Sequence, residues 1–157
     1  MKAASVKEIK TELETLPEAR LLEVCMRLAK FRKENKELIT YLLFEEQDEL
    51  NYILGVKAEI DLSFTELNTK NLYIAKKNIR KIIRMANRYI KYSAQKTTEA
   101  SLLIHVCMGI KDSGIDLTKS TVLNNIYHAL LKKINAAIDT MHEDLQYDYR
   151  KELAAVT

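Results

Sequence analysis

A chain of 157 residues with 3 glycines and 1 proline has the usual size of one domain, and buries enough surface to hold a core without disulfides or metals. So few turn formers exclude an all-β fold built from hairpins. Its 25 Lys and Arg and 22 Asp and Glu give a net charge of +3 and a pI of 8.7, below the values above ~9 frequent among nucleic-acid domains.

Leu, Ile, Lys, Glu and Ala dominate, so the expected fold is all-α: about seven helices packed as helical hairpins, a single domain over 1–157. Ser5 with Glu8 three residues on forms a capping box for a first helix carrying Val6, Ile9 and Leu13 on one face. Pro17 opens a second, where its missing N–H costs nothing; Leu21, Leu22, Cys25, Leu28 and Ala29 form its apolar side. "RKENKE" reads as a corner, with Asn35 placed to satisfy open backbone groups. It leads into "LITYLLF", apolar nearly all round and expected to be a buried central helix; the alternative is a groove-lining helix whose apolar surface continues into an interface. A fourth helix, Asp48 to Asn68, carries Leu50, Ile53, Val56, Ile60, Phe64 and Leu67. The fifth is the basic stretch discussed below. Thr97 or Thr98 is expected to cap "EASLLIHVCMGI", which stops at "KDSGID" with Gly114 available for a left-handed turn. The last helix is read as one long element, capped by Thr118 or Ser120, with Val122, Ile126, Leu130, Ile134, Ile138 and Leu145 buried.

"MRLAKFRKENKELITYLLF" and "RMANRYIKYSAQKTTEASLLI" share a plan: an amphipathic helix, a Lys-rich corner, then a strongly apolar helix. Over residues 17–142 this resembles the helical-hairpin architecture of HEAT and armadillo repeats, and implies either a short α-α superhelix or an irregular bundle. The likeness rests on pattern, and its two copies are fewer than the three a stacked array usually needs.

"KNLYIAKKNIRKIIRMANRYIKYSAQK", residues 70–96, holds nine of the Lys and Arg residues, and no Asp or Glu occurs from Leu67 to Thr98. At 100° per residue, Leu72, Ala75, Ile82, Ile83, Ala86 and Ile90 fall within about 60° of Ile79. Lys77, Arg80, Lys81, Arg84, Arg88 and Lys91 fall on the opposite face, with Tyr73 and Tyr92 near its two ends, where an aromatic ring can stack on a base. One reading is a phosphate-binding stripe. The other is a solvated face, or one neutralised by Glu45, Glu46, Asp48, Glu49, Glu59, Asp61 and Glu66 of the preceding segment, which has Lys57 as its only base. A membrane role is disfavoured, because the apolar face is required for the core.

The remaining polar clusters yield no catalytic signature. His105 and Cys107 lie two apart on a helix and so point about 200° apart; both cysteines sit in apolar runs and are read as inert core residues. "TMHEDLQYDYRKE" gathers acids around His142 without the paired histidines of a zinc motif; Tyr147 and Tyr149 there are possible partner anchors. No glycine-rich phosphate loop, nucleophile elbow or dinucleotide fingerprint occurs. "MKAASVKEIK" lacks the apolar run of a secretory signal, and "SLLIHVCMGI" is about half a membrane span. The expectation is a cytoplasmic, non-catalytic module without metal or cofactor. It docks an acidic protein partner or a second copy of itself on the basic ridge; the alternative is sequence-nonspecific nucleic-acid binding through the same residues.

Overall fold

The computed structural model describes residues 1–157 and contains eight helices and no strands: α1 Val6–Thr15, α2 Glu18–Phe31, α3 Lys33–Thr40, α4 Glu49–Thr65, α5 Leu72–Ser93, α6 Lys96–Asp112, α7 Thr121–Ile138 and α8 Glu143–Ala154. A π-helical turn covers Tyr41–Glu45 and a 3-10 turn Leu117–Lys119. No Pro/Gly-rich linker interrupts the sequence, yet the chain divides into two compact units, residues 1–44 and 45–157.

The first unit comprises α1, α2 and α3. The Ser5 capping box forms: the Ser5 amide donates to Glu8 Oε2 at 2.7 Å and the Glu8 amide to Ser5 Oγ at 3.3 Å. Pro17 stands one position before α2, which it enters with φ −60°. The corner after α2 is shorter than "RKENKE" suggested. Only Arg32 is extended there, and Lys33 already begins α3. Asn35 Nδ2 closes the corner by donating to the Leu28 carbonyl at 2.9 Å.

No residue of α1, α2 or α3 is buried. This overturns two expectations. Cys25 is exposed, and so are Leu21, Leu22 and Leu28. Within "LITYLLF" only Tyr41 is buried, while Leu42, Leu43 and Phe44 are 48%, 63% and 75% exposed. The apolar residues of α2 spread round about two thirds of the helix, and α3, which packs against it, spans only 8 residues. A hairpin that small cannot enclose so wide an apolar surface.

The second unit is built around α6, which α4, α5, α7 and α8 all touch. "EASLLIHVCMGI" is apolar on nearly every side because neighbours surround it, and Leu102, Leu103, Val106, Cys107 and Ile110 are almost fully enclosed. In a stacked repeat array each hairpin meets only its neighbours. Here too α6 packs within its own hairpin with α7 and against the flanking elements α4, α5 and α8, so this unit fits either a short α-α stack or an irregular bundle.

Helix α4 starts at the Asp48 cap, whose side chain accepts from the Asn51 amide. Its turns bury Tyr52, Ile53, Val56 and Ile60, but leave Leu50 exposed. Helix α6 begins at Lys96, two or three residues earlier than a Thr97 or Thr98 cap would set it, so Thr98 lies inside the helix and is fully buried. Gly109 of α6 accommodates the Phe64 ring of α4, which a Cβ at this position would overlap. Gly114 takes the left-handed conformation after α6, φ 70°, and Ser120 caps α7 by accepting from the Leu123 amide.

The long last helix is in fact two, which accounts for the eighth. Thr140 Oγ1 donates to the Ala137 carbonyl at 2.7 Å, His142 Nδ1 accepts from the Asp144 amide at 3.4 Å, and Gln146 Nε2 donates to the Met141 carbonyl at 2.9 Å. These local bonds compete with the helix ladder and close a turn. Arg150 then reaches back to Asp139 at 2.7 Å, tying α8 to the end of α7. The buried stripe of α7 is Leu123, Tyr127, Leu130, Ile134, Ala137 and Ile138; Val122 and Leu145 are 39% and 41% exposed.

Candidate docking ridge on helix α5

The division of α5 into two faces starts from its composition. Ala75, Ile79, Ile82, Ala86 and Ile90 recur at three- and four-residue intervals and are buried, which fixes the rotation of the helix and turns the opposite side outward. Asn71 caps the start by accepting from the Tyr73 and Ile74 amides. Ala94 ends it in the left-handed conformation, φ 56°. The intervening 22 residues span about 33 Å at 1.5 Å per residue.

Lys77, Arg80, Lys81, Arg84 and Lys91 are all exposed on the outer face. None of the five has a carboxylate within 4.0 Å or a side-chain hydrogen bond. Successive turns place Lys77, Arg80, Lys81 and Arg84 about 5.4 Å apart along the axis, so these four have like-charged neighbours three or four residues away, Lys77 with Arg80 and Lys81, Arg80 with Arg84, while Lys91 lies two turns further on. Such pairs destabilise a helix by roughly 0.2–0.5 kcal/mol each.

Arg88 differs from the other five. It is half-buried, its guanidinium 5.2 Å from the Tyr89 ring centroid. The two aromatic ends also differ. Tyr73 is 72% exposed, with Lys76 Nζ 5.8 Å from its ring. Tyr92 is 9% exposed and so is not on the ridge. Its position, about 220° round from Ile79, falls on the side covered by α4. There Tyr92 stacks edge-on against Tyr89 at 6.0 Å, and Tyr89 against Tyr52 at 6.4 Å, while the Tyr52 hydroxyl donates to the Tyr89 carbonyl at 2.9 Å.

The acids of α4 are occupied away from the five exposed cations. Glu59 accepts from the Tyr89 hydroxyl at 2.8 Å, and burial followed by this bond pushes the tyrosine's pKa up. Glu49 accepts from Ser93 Oγ at 2.5 Å and from the Thr98 hydroxyl. Asp61 Oδ1 lies 2.6 Å from His105 Nε2. Asp48 caps its own helix. Sequence reasoning saw these acids as candidate counter-charges; it could not see that hydroxyls and an imidazole would take them.

On the other flank Lys133 of α7 donates to Asn87 Oδ1 of α5 at 2.6 Å and pairs with Glu99 at 3.3 Å. Glu99 is also held by Lys96 at 2.8 Å. Burial raises its carboxyl, but Lys96 and Lys133 outweigh this and hold it below the ordinary range. Glu99 therefore has two cations of its own and leaves those of α5 alone. Lys133 was not among the residues singled out in the sequence, because nothing in its own helix shows that it borders α5.

The other constellations are structural in their surroundings. Cys107 is enclosed and burial pushes its thiol up to about 12, while His105 meets Asp61 and His128 is exposed. No three His, Cys, Asp or Glu side chains converge as a metal site requires. No helix is long and apolar enough to cross a membrane. Comparison with protein-family models, curated proteins and solved structures gives no match.

Proposed function

We propose that this protein is a non-catalytic binding module whose α5 ridge, Lys77, Arg80, Lys81, Arg84 and Lys91, docks an acidic protein partner. The observation that carries this reading is the exposed run of like charges without a carboxylate neighbour. It accepts a self-repulsion that an ordinary surface removes by interspersing acids, and an anionic partner relieves it. The charge balance favours a protein over a polynucleotide. Residues 45–157 hold 16 Lys and Arg against 15 Asp and Glu, so the bundle is nearly neutral and dipolar. Long-range attraction to a polyanion scales with net charge, whereas a matched protein surface needs only local complementarity. Burial of Tyr92 also removes one of the two rings that would stack on bases.

Nucleic-acid binding is the second reading, favoured by the exposed cations on successive turns from Lys77 to Arg84, which suit neutralisation of backbone phosphates. Affinity capture from nuclease-treated and untreated extracts, with wild type and a Lys77/Arg80/Arg84→Gln variant, separates the two. Protein partners that survive nuclease and are lost with the variant support the first reading. Capture abolished by nuclease moves nucleic acid to first place. Identical captures by wild type and variant remove the ridge from both.

A further inference from the structure

A second surface, independent of the α5 ridge, lies in the first unit. The groove lined by Met26 and Ala29 of α2, Ile39 and Thr40 of α3, and Phe44 has a volume of about 570 Å³. Its floor is apolar, and Lys30, Arg32, Lys33 and Lys36 rim it; Lys33 is paired with Glu37 at 3.4 Å, and the other three keep the rim basic. Helices of 10, 14 and 8 residues with no buried side chain are too short to be stable on their own surface in water.

The same chain presents a helix of the complementary kind. Leu50, Leu54, Ala58 and Leu62 follow one another at four-residue intervals along α4, on the side away from the buried Tyr52, Ile53, Val56 and Ile60. The three leucines are 77%, 64% and 63% exposed. Acids flank the line at Glu59, Asp61 and Glu66, with Lys57 the lone base of the helix. An apolar ridge on a helix with i, i+4, i+8 anchors is what an apolar groove between two helices receives, and acidic flanks meet a basic rim.

We infer that the α2–α3 groove of one chain receives the outward face of α4 from a second copy, forming a two-fold dimer with two identical groove–ridge contacts. Two-fold symmetry is the smallest closed arrangement in which both surfaces of both chains are satisfied. The leucines bind the Met26–Ile39–Phe44 floor, and Glu59, Asp61 and Glu66 face Lys30, Arg32, Lys33 and Lys36.

The test uses the full chain in sedimentation equilibrium, with two variants at exposed positions: Leu54→Glu/Leu62→Glu on the ridge and Met26→Glu/Phe44→Glu in the groove. Circular dichroism establishes that each remains folded. Wild type is expected to dimerise, and each variant to weaken dimerisation at least tenfold. Mixing the two variants restores a 1:1 heterodimer through the one intact groove–ridge pair, associating at least tenfold more tightly than either variant with itself. Wild type that stays monomeric to near-millimolar concentration overturns the proposal. So does a dimer that survives both variants, or a mixture that associates no better than its components.

Discussion

Replacing Thr98 by valine removes one hydroxyl and keeps the shape of the side chain, so it isolates a single bond in the joint between α4, α5 and α6. Thr98 is fully buried, and its hydroxyl donates to the Glu49 carboxylate oxygen that also accepts from Ser93 at 2.5 Å. A hydrogen bond to a charged group contributes about 1.5–3 kcal/mol. Glu49 is only half-buried, so water can partly replace the lost donor, and the expected loss for Thr98→Val is about 1–2 kcal/mol. For a fold of this size that lowers Tm by roughly 2–8 °C. Urea unfolding followed by far-UV circular dichroism should show a lower midpoint at unchanged m. Thr97→Val, one residue earlier and without a hydrogen bond, should stay within about 0.5 kcal/mol of wild type. Because Ser93 and Thr98 share one acceptor, Thr98→Val and Ser93→Ala should be non-additive by at least about 0.5 kcal/mol. Equal stability of the Thr97 and Thr98 variants would refute the assignment of Glu49 as the joint.

Gly109→Ala adds a methyl group that overlaps the Phe64 ring; it should destabilise by about 1–3 kcal/mol, although alanine in an open helix would gain nearly 1 kcal/mol, and a neutral result in urea would show that Phe64 swings aside freely. Thiol labelling under native conditions should modify Cys25 and spare Cys107 until denaturant is added, since Cys25 is exposed and Cys107 enclosed; modification of both in the native protein would contradict the packing around α6. Stability should fall on the alkaline side. The folded Cys107 thiol keeps its proton up to about 12 while the unfolded one loses it near the ordinary thiol value, so the unfolded state binds fewer protons across that window. The slope from this group is at most about 1.4 kcal/mol per pH unit; Tyr127, also pushed up to about 12 by burial, adds in the same direction. Cys107→Ala should flatten the decline, and an unchanged slope would count against the thiol's part in it.

The all-helical class followed from scarce glycine and proline, and the faces of α5 from their spacing alone. Patterns of period 3.6 say which side of a helix wants burial, but not whether another element arrives to bury it. That is why "SLLIHVCMGI" and "LITYLLF", equally apolar in sequence, met opposite fates: four helices surround the first, while most of the second stays exposed. Tyr92 failed for a related reason. Its angle of about 220° lies at the border between faces, and only the position of α4 decided that it would be covered. The break at Thr140–His142 carries neither glycine nor proline, and depends on side chain–backbone bonds that the apolar pattern does not register. Pairing of the acids was equally illegible, because it required knowing that Tyr89, Ser93, Thr98 and His105 would converge on α4.

The claim on which the functional reading rests is that Lys77, Arg80, Lys81, Arg84 and Lys91 of α5 have no carboxylate partner within the fold. Its most direct test is the urea stability of Lys77/Arg80/Arg84→Gln at low and high salt, in a helix where glutamine and arginine have similar propensity. Without compensation, removing three like charges relieves repulsion. The variant should then be as stable as wild type or more stable by up to about 1.5 kcal/mol, roughly 0.2–0.5 for each of the three relieved pairs, with the gain fading as salt screens it. A loss of more than about 1 kcal/mol at low salt would contradict the account, because it would mean that carboxylates within the fold depend on these cations.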